Sequence, residues 1–435
     1  MLKKLLFLLI TSTLLISTTN AQPDKVKKTG GFARLSSLGA NLFVADPFFM
    51  TINPAWGGVY SDYVFVDIGS SNGAFAAGGF GQFFAGSFSL SKELTLGAIL
   101  TRNDFNGIGI SLPDPGTNIN NVIGVPFAGV ASIVNNAGGT VTPLDNNLEF
   151  FASYTVKNTT FGFGVAYAKT TRDVTPPAGG QATEGSVSQI GFNAGILQRF
   201  SKQFLLDAGV SFILPSASYQ APVANTSPIE ASQTIILANL RAFYNMSKKV
   251  TFVPVVTFMN ISGSAESGGA TNTSSDLPSV MLIGFGLGFS YQVGDFLLAG
   301  GPSLSTVSLT TPAVENVSPE LTNSAFLFPI WNIGMEWSML DWLVARLGYV
   351  ALTGSTTFEA NTPIPTDPNA ITESVFTFFN PSQRGVTVGI GFRFGDFSLD
   401  ALVNEDVLRQ GFNNFGGGGA TARTFAYLSA GYALP

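Results

Sequence analysis

The chain contains no cysteine and no histidine, and only 11% of its residues are charged, against roughly 25% in ordinary globular proteins. Each shortage excludes a class of protein. Without cysteine there is no disulfide framework, and no lipoprotein anchor can follow a leader peptide. Without histidine, histidine-dependent triads, dyads and metal sites cannot be built, and no Gly-Lys-Ser phosphate loop occurs. The expectation is a protein that is not an enzyme and carries no cofactor or metal. A net charge of −6 opposes nucleic-acid binding.

Long hydrophobic runs are also missing, although mean hydropathy is +0.31. The longest candidate, Val280 to Tyr291, is interrupted by glycines and closed by Gln292. At the start, Lys3 and Lys4 precede an apolar stretch from Leu5 to Ile16, and Thr19-Asn20-Ala21 supplies small residues for cleavage. Residues 1–21 therefore read as a signal peptide, because that apolar core is about a dozen residues and a span needs ~20. High hydropathy without a spanning helix has one common solution, a transmembrane barrel in which every second residue faces lipid.

What is present is alternation. Met281, Ile283, Phe285, Leu287, Phe289 and Tyr291 are large and apolar, and Leu282, Gly284, Gly286, Gly288, Ser290 and Gln292 stand between them. Phe161, Phe163, Val165 and Tyr167 repeat the pattern, as do Val386, Val388, Ile390, Phe392 and Phe394. Leu327, Trp331, Ile333, Met335 and Trp337 are set against Phe328, Asn332, Gly334 and Glu336. Tight turns are predicted near 91–93, 157–159, 201–203, 246–249, 294–295, 339–341 and 395–396. Longer polar or Gly/Pro-rich connections alternate with them, the usual asymmetry between the two rims of an outer-membrane barrel. The fold class is all-β: a transmembrane antiparallel β-barrel of 14–16 strands. Its first strand is predicted near Val59–Ile68 and its last near Thr424–Leu434, where Pro435 stands in place of the usual terminal aromatic. A soluble β-sandwich or propeller is the competing fold.

Residues 22–58 do not read as strand. They hold a Gly-rich lead (Gly30-Gly31), then Ala45-Asp46, then Asn53-Pro54-Ala55 just before the first strand. In these features the chain resembles the FadL family of long-chain fatty-acid and hydrocarbon transporters and its PorV-like relatives. Phe48, Phe49 and Met50 are bulkier than that pattern, and Trp56 stands where it has glycine. The resemblance implies an N-terminal hatch (22–58) inside a barrel (59–435), bearing the motif residues Asp46, Asn53, Pro54 and Ala55. It also implies capture of an apolar ligand by the outer loops, an internal pocket and lateral release into the membrane.

Two groups of residues are candidates for cargo. The predicted outer loop 104–147 is unusually apolar, with Ile108, Ile110, Val125 and Phe127 among its residues. Such a loop folds into the barrel mouth, meets a protein partner or binds apolar ligand. Alternation also points Arg199, Arg241, Arg346 and Arg393 inward, together with Asp207, Glu336 and Asp400. These either pair with one another or with the hatch, or one arginine, Arg346 or Arg241 first, forks a fatty-acid carboxylate. The functional expectation is uptake of hydrophobic molecules at the bacterial outer membrane. The alternatives are a PorV-like binding protein of a secretion system and a general porin. Expected partners are membrane lipids, an apolar small molecule and the periplasmic chaperone and barrel-assembly machinery, with the barrel acting as a monomer.

Overall fold

Strands whose greasy face meets lipid satisfy their backbone groups by closing edge to edge, and this chain does so. The computed structural model describes residues 29–69, 81–102, 128–175, 182–223, 226–269, 272–313, 319–361, 372–377, 385–403 and 425–435. The predicted signal peptide lies outside the described residues.

Eighteen β-segments form one antiparallel sheet. They are β1 Tyr63–Gly69, β2 Gly81–Ser89, β3 Leu94–Arg102, β4 Asn146–Val156, β5 Thr159–Val174 and β6 Thr183–Arg199. Next come β7 Phe204–Gln220, β8 Ile229–Asn245, β9 Val250–Glu266, β10 Ser274–Asp276, β11 Ser279–Val293 and β12 Phe296–Thr311. The last six are β13 Glu320–Leu340, β14 Leu343–Asn361, β15 Thr372–Thr377, β16 Val386–Phe394, β17 Phe397–Val403 and β18 Phe425–Ala433. β10 and β11 pair with successive parts of β9, and β15 and β16 both pair with β14. Each couple is one interrupted strand, so the eighteen segments make sixteen strands. β1 pairs with β2 on one side and β18 on the other, which closes the seam of the barrel.

The outer face is the greasy one. Met281 to Tyr291 at alternate positions are 38–46% exposed, while Val280 beside them is buried. On β5 the outward series Phe161, Phe163, Val165, Tyr167 gives way to Lys169, Thr171 and Asp173. In register with Lys169, β6 to β9 present Ser188, Ser216, Ser232 and Ser264. Exposed aromatics Tyr154, Phe200, Tyr244, Trp337 and Trp342 mark the short-turn rim, as an interfacial girdle does. No helix among the described residues is long and apolar enough to cross a membrane.

The tight turns fall where the sequence puts them, with small departures. β13 runs to Leu340, so its turn is Asp341-Trp342. β1 begins at Tyr63 rather than Val59 because Trp56–Val59 is a helical turn. The register of β13 against β14 shifts between Leu327 and Ile330, beside Pro329, and proline is confined to such irregularities within a sheet. The shift reverses the alternation: Phe326 and Phe328 are outward, 49% and 51% exposed. Leu327 therefore does not share a face with Trp331, as unbroken alternation had suggested.

A charge on the lipid face tests the placement. Phe285→Arg, at the middle of the outward series on β11, should destabilise the barrel by about 2–4 kcal/mol. Guanidinium titrations in lipid vesicles measure it, and an unchanged midpoint would place β11 outside the bilayer.

Candidate functional site

The segment from Thr29 to Tyr60 lies in the lumen towards the short-turn rim, built from α1 (Phe32–Ser37), a 3-10 turn (Pro47–Thr51) and α2 (Trp56–Val59). Helix starts leave N–H groups without partners, and the barrel wall supplies them: Asp67 of β1 accepts from Phe32 N (3.1 Å) and Ala33 N (3.3 Å). Asp46 caps the 3-10 turn by accepting from Phe48 N at 2.9 Å, with Pro47 preset for the first position. Asn53 folds its side-chain oxygen back onto Ala55 N at 2.9 Å, a turn suited to Asn-Pro. The hatch fits because glycines face it. A methyl group at Gly195 would strike the Asn53 side chain, one at Gly162 the backbone of Pro54-Ala55, and one at Gly288 the ring of Phe43.

Two charged clasps hold it. In the first, Arg241 (β8) lies directly across from Asp207 (β7), and its Nη2 reaches the Asp207 carboxylate at 2.5 Å. Both are buried. The hatch completes the pair: Asn53 Nδ2 donates to Asp207 Oδ1 at 2.7 Å and Trp56 Nε1 to Oδ2 at 3.0 Å. Arg241 Nη1 donates to the carbonyls of Leu42 (3.2 Å) and Val44 (3.3 Å), and its guanidinium lies 3.6 Å over the ring of Phe49. The second clasp is a chain of alternating charges. Asp46–Arg34 (2.8 Å) and Arg34–Glu336 (2.9 Å) lead from the hatch into the wall. Glu336–Arg346 (2.6 Å), Arg346–Asp400 (2.7 Å) and Asp400–Arg393 (2.8 Å) continue it across β13, β14, β16 and β17. Burial pushes the Asp46 carboxyl up to about 6, against the downward pull of Arg34 and the Phe48 N–H.

Arg241 and Arg346 each lie within ion-pair distance of protein carboxylates at the hatch, which is the first of the two arrangements that their inward direction allows. The motif residues Asp46, Asn53, Pro54 and Ala55 come together with these clasps. Phe49 and Trp56, which depart from the family pattern, are the residues that cover the first one. Ile108, Ile110, Val125 and Phe127 lie outside the described residues. The later part of their loop turns inward: α3 (Val130–Asn136) buries Val130 and Val134 with Val141 and Leu144 against Ala168, Val187, Ala217 and Ala231 of the inner wall.

Between hatch and α3 the inner wall is aliphatic. Ile213, Ile235, Met259, Ile261, Val280, Val307 and Leu309 form one buried cluster, with Leu237 and Leu282 packed on it. Alternation alone hides this patch, because around Val280-Met281-Leu282-Ile283 both faces are apolar. Among the described residues no cluster of acidic side chains is arranged to hold a metal ion.

No protein-family model matches the sequence, and no curated protein does. Among solved structures, the chain is similar to a Pseudomonas aeruginosa FadL homologue at 11% identity and a TM-score of 0.39, covering 91% of this chain and 96% of that one. It is similar to the P. putida toluene transporter TodX at 9% identity and a TM-score of 0.36, covering 93% and 99%. The Neisseria meningitidis FrpB iron transporter matches at 11% identity and a TM-score of 0.37 over 80% of this chain, which spans only 62% of its length.

The clasps give two predictions. Arg241→Ala leaves Asp207 buried without its cation and should cost about 3–5 kcal/mol, read as a lowered unfolding midpoint with faster hydrogen exchange at residues 41–56. An unchanged exchange rate would mean that the hatch does not depend on the pair. For Asp46, the raised value means that the folded state holds the proton more tightly than the unfolded one, whose carboxyl has the ordinary value of 3.8. The stability that this group contributes is therefore full below that value and is lost as pH rises through about 6. Between pH 4 and 7 the wild-type midpoint should fall relative to that of Asp46→Asn, and a constant difference would remove the shift.

Proposed function

We propose that this barrel sits in the outer membrane and takes up small hydrophobic molecules, in the manner that the FadL resemblance implies. The observation that carries the reading is the aliphatic inner wall above the hatch. A water-filled pore has no use for Ile213, Ile235, Ile261 and Val280 on its inside, whereas an apolar molecule leaving water gains free energy on such a surface. The neutralised charges of the hatch layer support the same reading, since they close the short-turn end with paired groups and leave the aliphatic layer apart from them. Capture by the apolar loop and lateral release into the bilayer belong to this proposal.

The test is uptake of radiolabelled decane and 1-decanol by cells that lack their own transporter for such compounds. The full-length chain should raise uptake, and Ile235→Lys with Ile261→Asp should return it to the background of cells without the chain while the barrel remains in the membrane. Uptake indifferent to the wall substitutions would sink the proposal. Deleting residues 108–134 should likewise slow uptake, and an unchanged rate would remove the loop from the capture step.

A further inference from the structure

The aliphatic wall is bounded by two amides whose orientation is set by chemistry. Asn193 of β6 donates from Nδ2 to the hatch carbonyl of Thr51 at 3.2 Å, and Gln233 of β8 donates from Nε2 to the carbonyl of Ala128 at 3.0 Å. A carbonyl accepts only from the nitrogen end of an amide, so in both side chains the oxygen is the end left over. Both residues are buried, 1% and 3% exposed, and neither Asn193 Oδ1 nor Gln233 Oε1 has a hydrogen-bond donor. Their places in the sheet bracket the wall. Asn193 is level with Ser211, two residues from Ile213; Ile213 pairs with Ile235, and Gln233 lies two residues beyond that. The two oxygens are thus attached about four residues apart along the strands, roughly 13 Å.

The charges around the wall favour no anion. Arg34, Arg241, Arg346 and Arg393 are each held by a protein carboxylate. The aliphatic cluster contains no cation. From these placements we infer that the wall takes an uncharged apolar molecule bearing a hydroxyl or other hydrogen-bond donor, and does not select fatty-acid anions. Asn193 and Gln233 are the specificity-determining residues. An entering molecule satisfies these oxygens only if it brings a donor. An alkane brings none, and a carboxylate sets oxygen against oxygen.

This inference rests on the uptake reading, and one experiment separates the two. The purified full-length barrel in lipid nanodiscs is titrated with radiolabelled 1-decanol, decane and decanoate at pH 8, with empty nanodiscs subtracted. Decanol should bind about tenfold more tightly than decane, the effect of one buried hydrogen bond made to an otherwise unpartnered oxygen, and decanoate should bind less tightly than decanol. The single hydroxyl of decanol can donate to only one of the two oxygens, so one of Asn193→Leu and Gln233→Leu should bring decanol to the level of decane while leaving decane bound, and the double variant should do the same. Each amide also ties down backbone through its nitrogen, so unfolding midpoints identify a variant that fails to fold, and Asn193→Asp or Gln233→Glu, which keep the shape and change the charge, then stand in for it. Decanoate matching decanol, decane matching decanol, or an alcohol preference that survives in both variants would overturn the inference and leave the uptake reading standing. Binding of none of the three above empty discs would remove both.

Discussion

A carboxylate and a guanidinium facing into the lumen from adjacent wall strands place a demand that the wall alone does not meet. Asp207 and Arg241 pair at 2.5 Å, yet a buried pair is stable only when its remaining donors and acceptors are also satisfied. β7 and β8 have spent their backbone groups on each other and on their neighbours. The missing partners come from the hatch: an amide from Asn53, an indole from Trp56, two carbonyls and the face of Phe49. Hatch position, glycine placement and the closed short-turn end all depend on satisfying that one pair.

The second clasp extends the same logic sideways. Asp46, Arg34, Glu336, Arg346, Asp400 and Arg393 alternate in sign, so this chain of groups is dense in charge yet neutral within itself. Neutrality there matters for the layer above it. An uncompensated charge beside Ile235 or Ile261 would draw water into the lumen, and the paired arrangement keeps these six charges in the floor. The lumen thus divides along the barrel axis into a charged floor, an aliphatic wall and the packed helix of the outer loop.

Much of this was legible in the residues. Alternation and turn rhythm carried the strands because a period of two with one greasy face has few other homes. They misled at Leu327–Ile330, where a local shift beside Pro329 reverses the phase, and alternation has no way to signal that. They also missed the aliphatic wall, because a strand that is apolar on both faces around Val280 shows no contrast to read. The inward direction of the arginines was visible, but their partners needed pairing. A signal existed: Glu336 and Arg346 flank one tight turn, and Asp207 and Arg241 stand nearly equally far from the short-turn rim. Trp56 and Phe49, read as departures from the family pattern, proved to cover the wall pair. That role could not be seen before the barrel brought residues some 150 positions apart into contact.

The way the hatch is fastened constrains the order in which the molecule can be assembled. Its attachments reach Asp207, then Glu336, and finally Ser429 on the closing strand. The N-terminal segment meets Asp67 on the first strand early, but it finds its last partner only on the final strand. Until β18 meets β1, Ala33 lacks Ser429 and the barrel lacks its seam. Closure of the wall and docking of the hatch are thus coupled late events, and a chain stalled before its last strand would hold its hatch only in part.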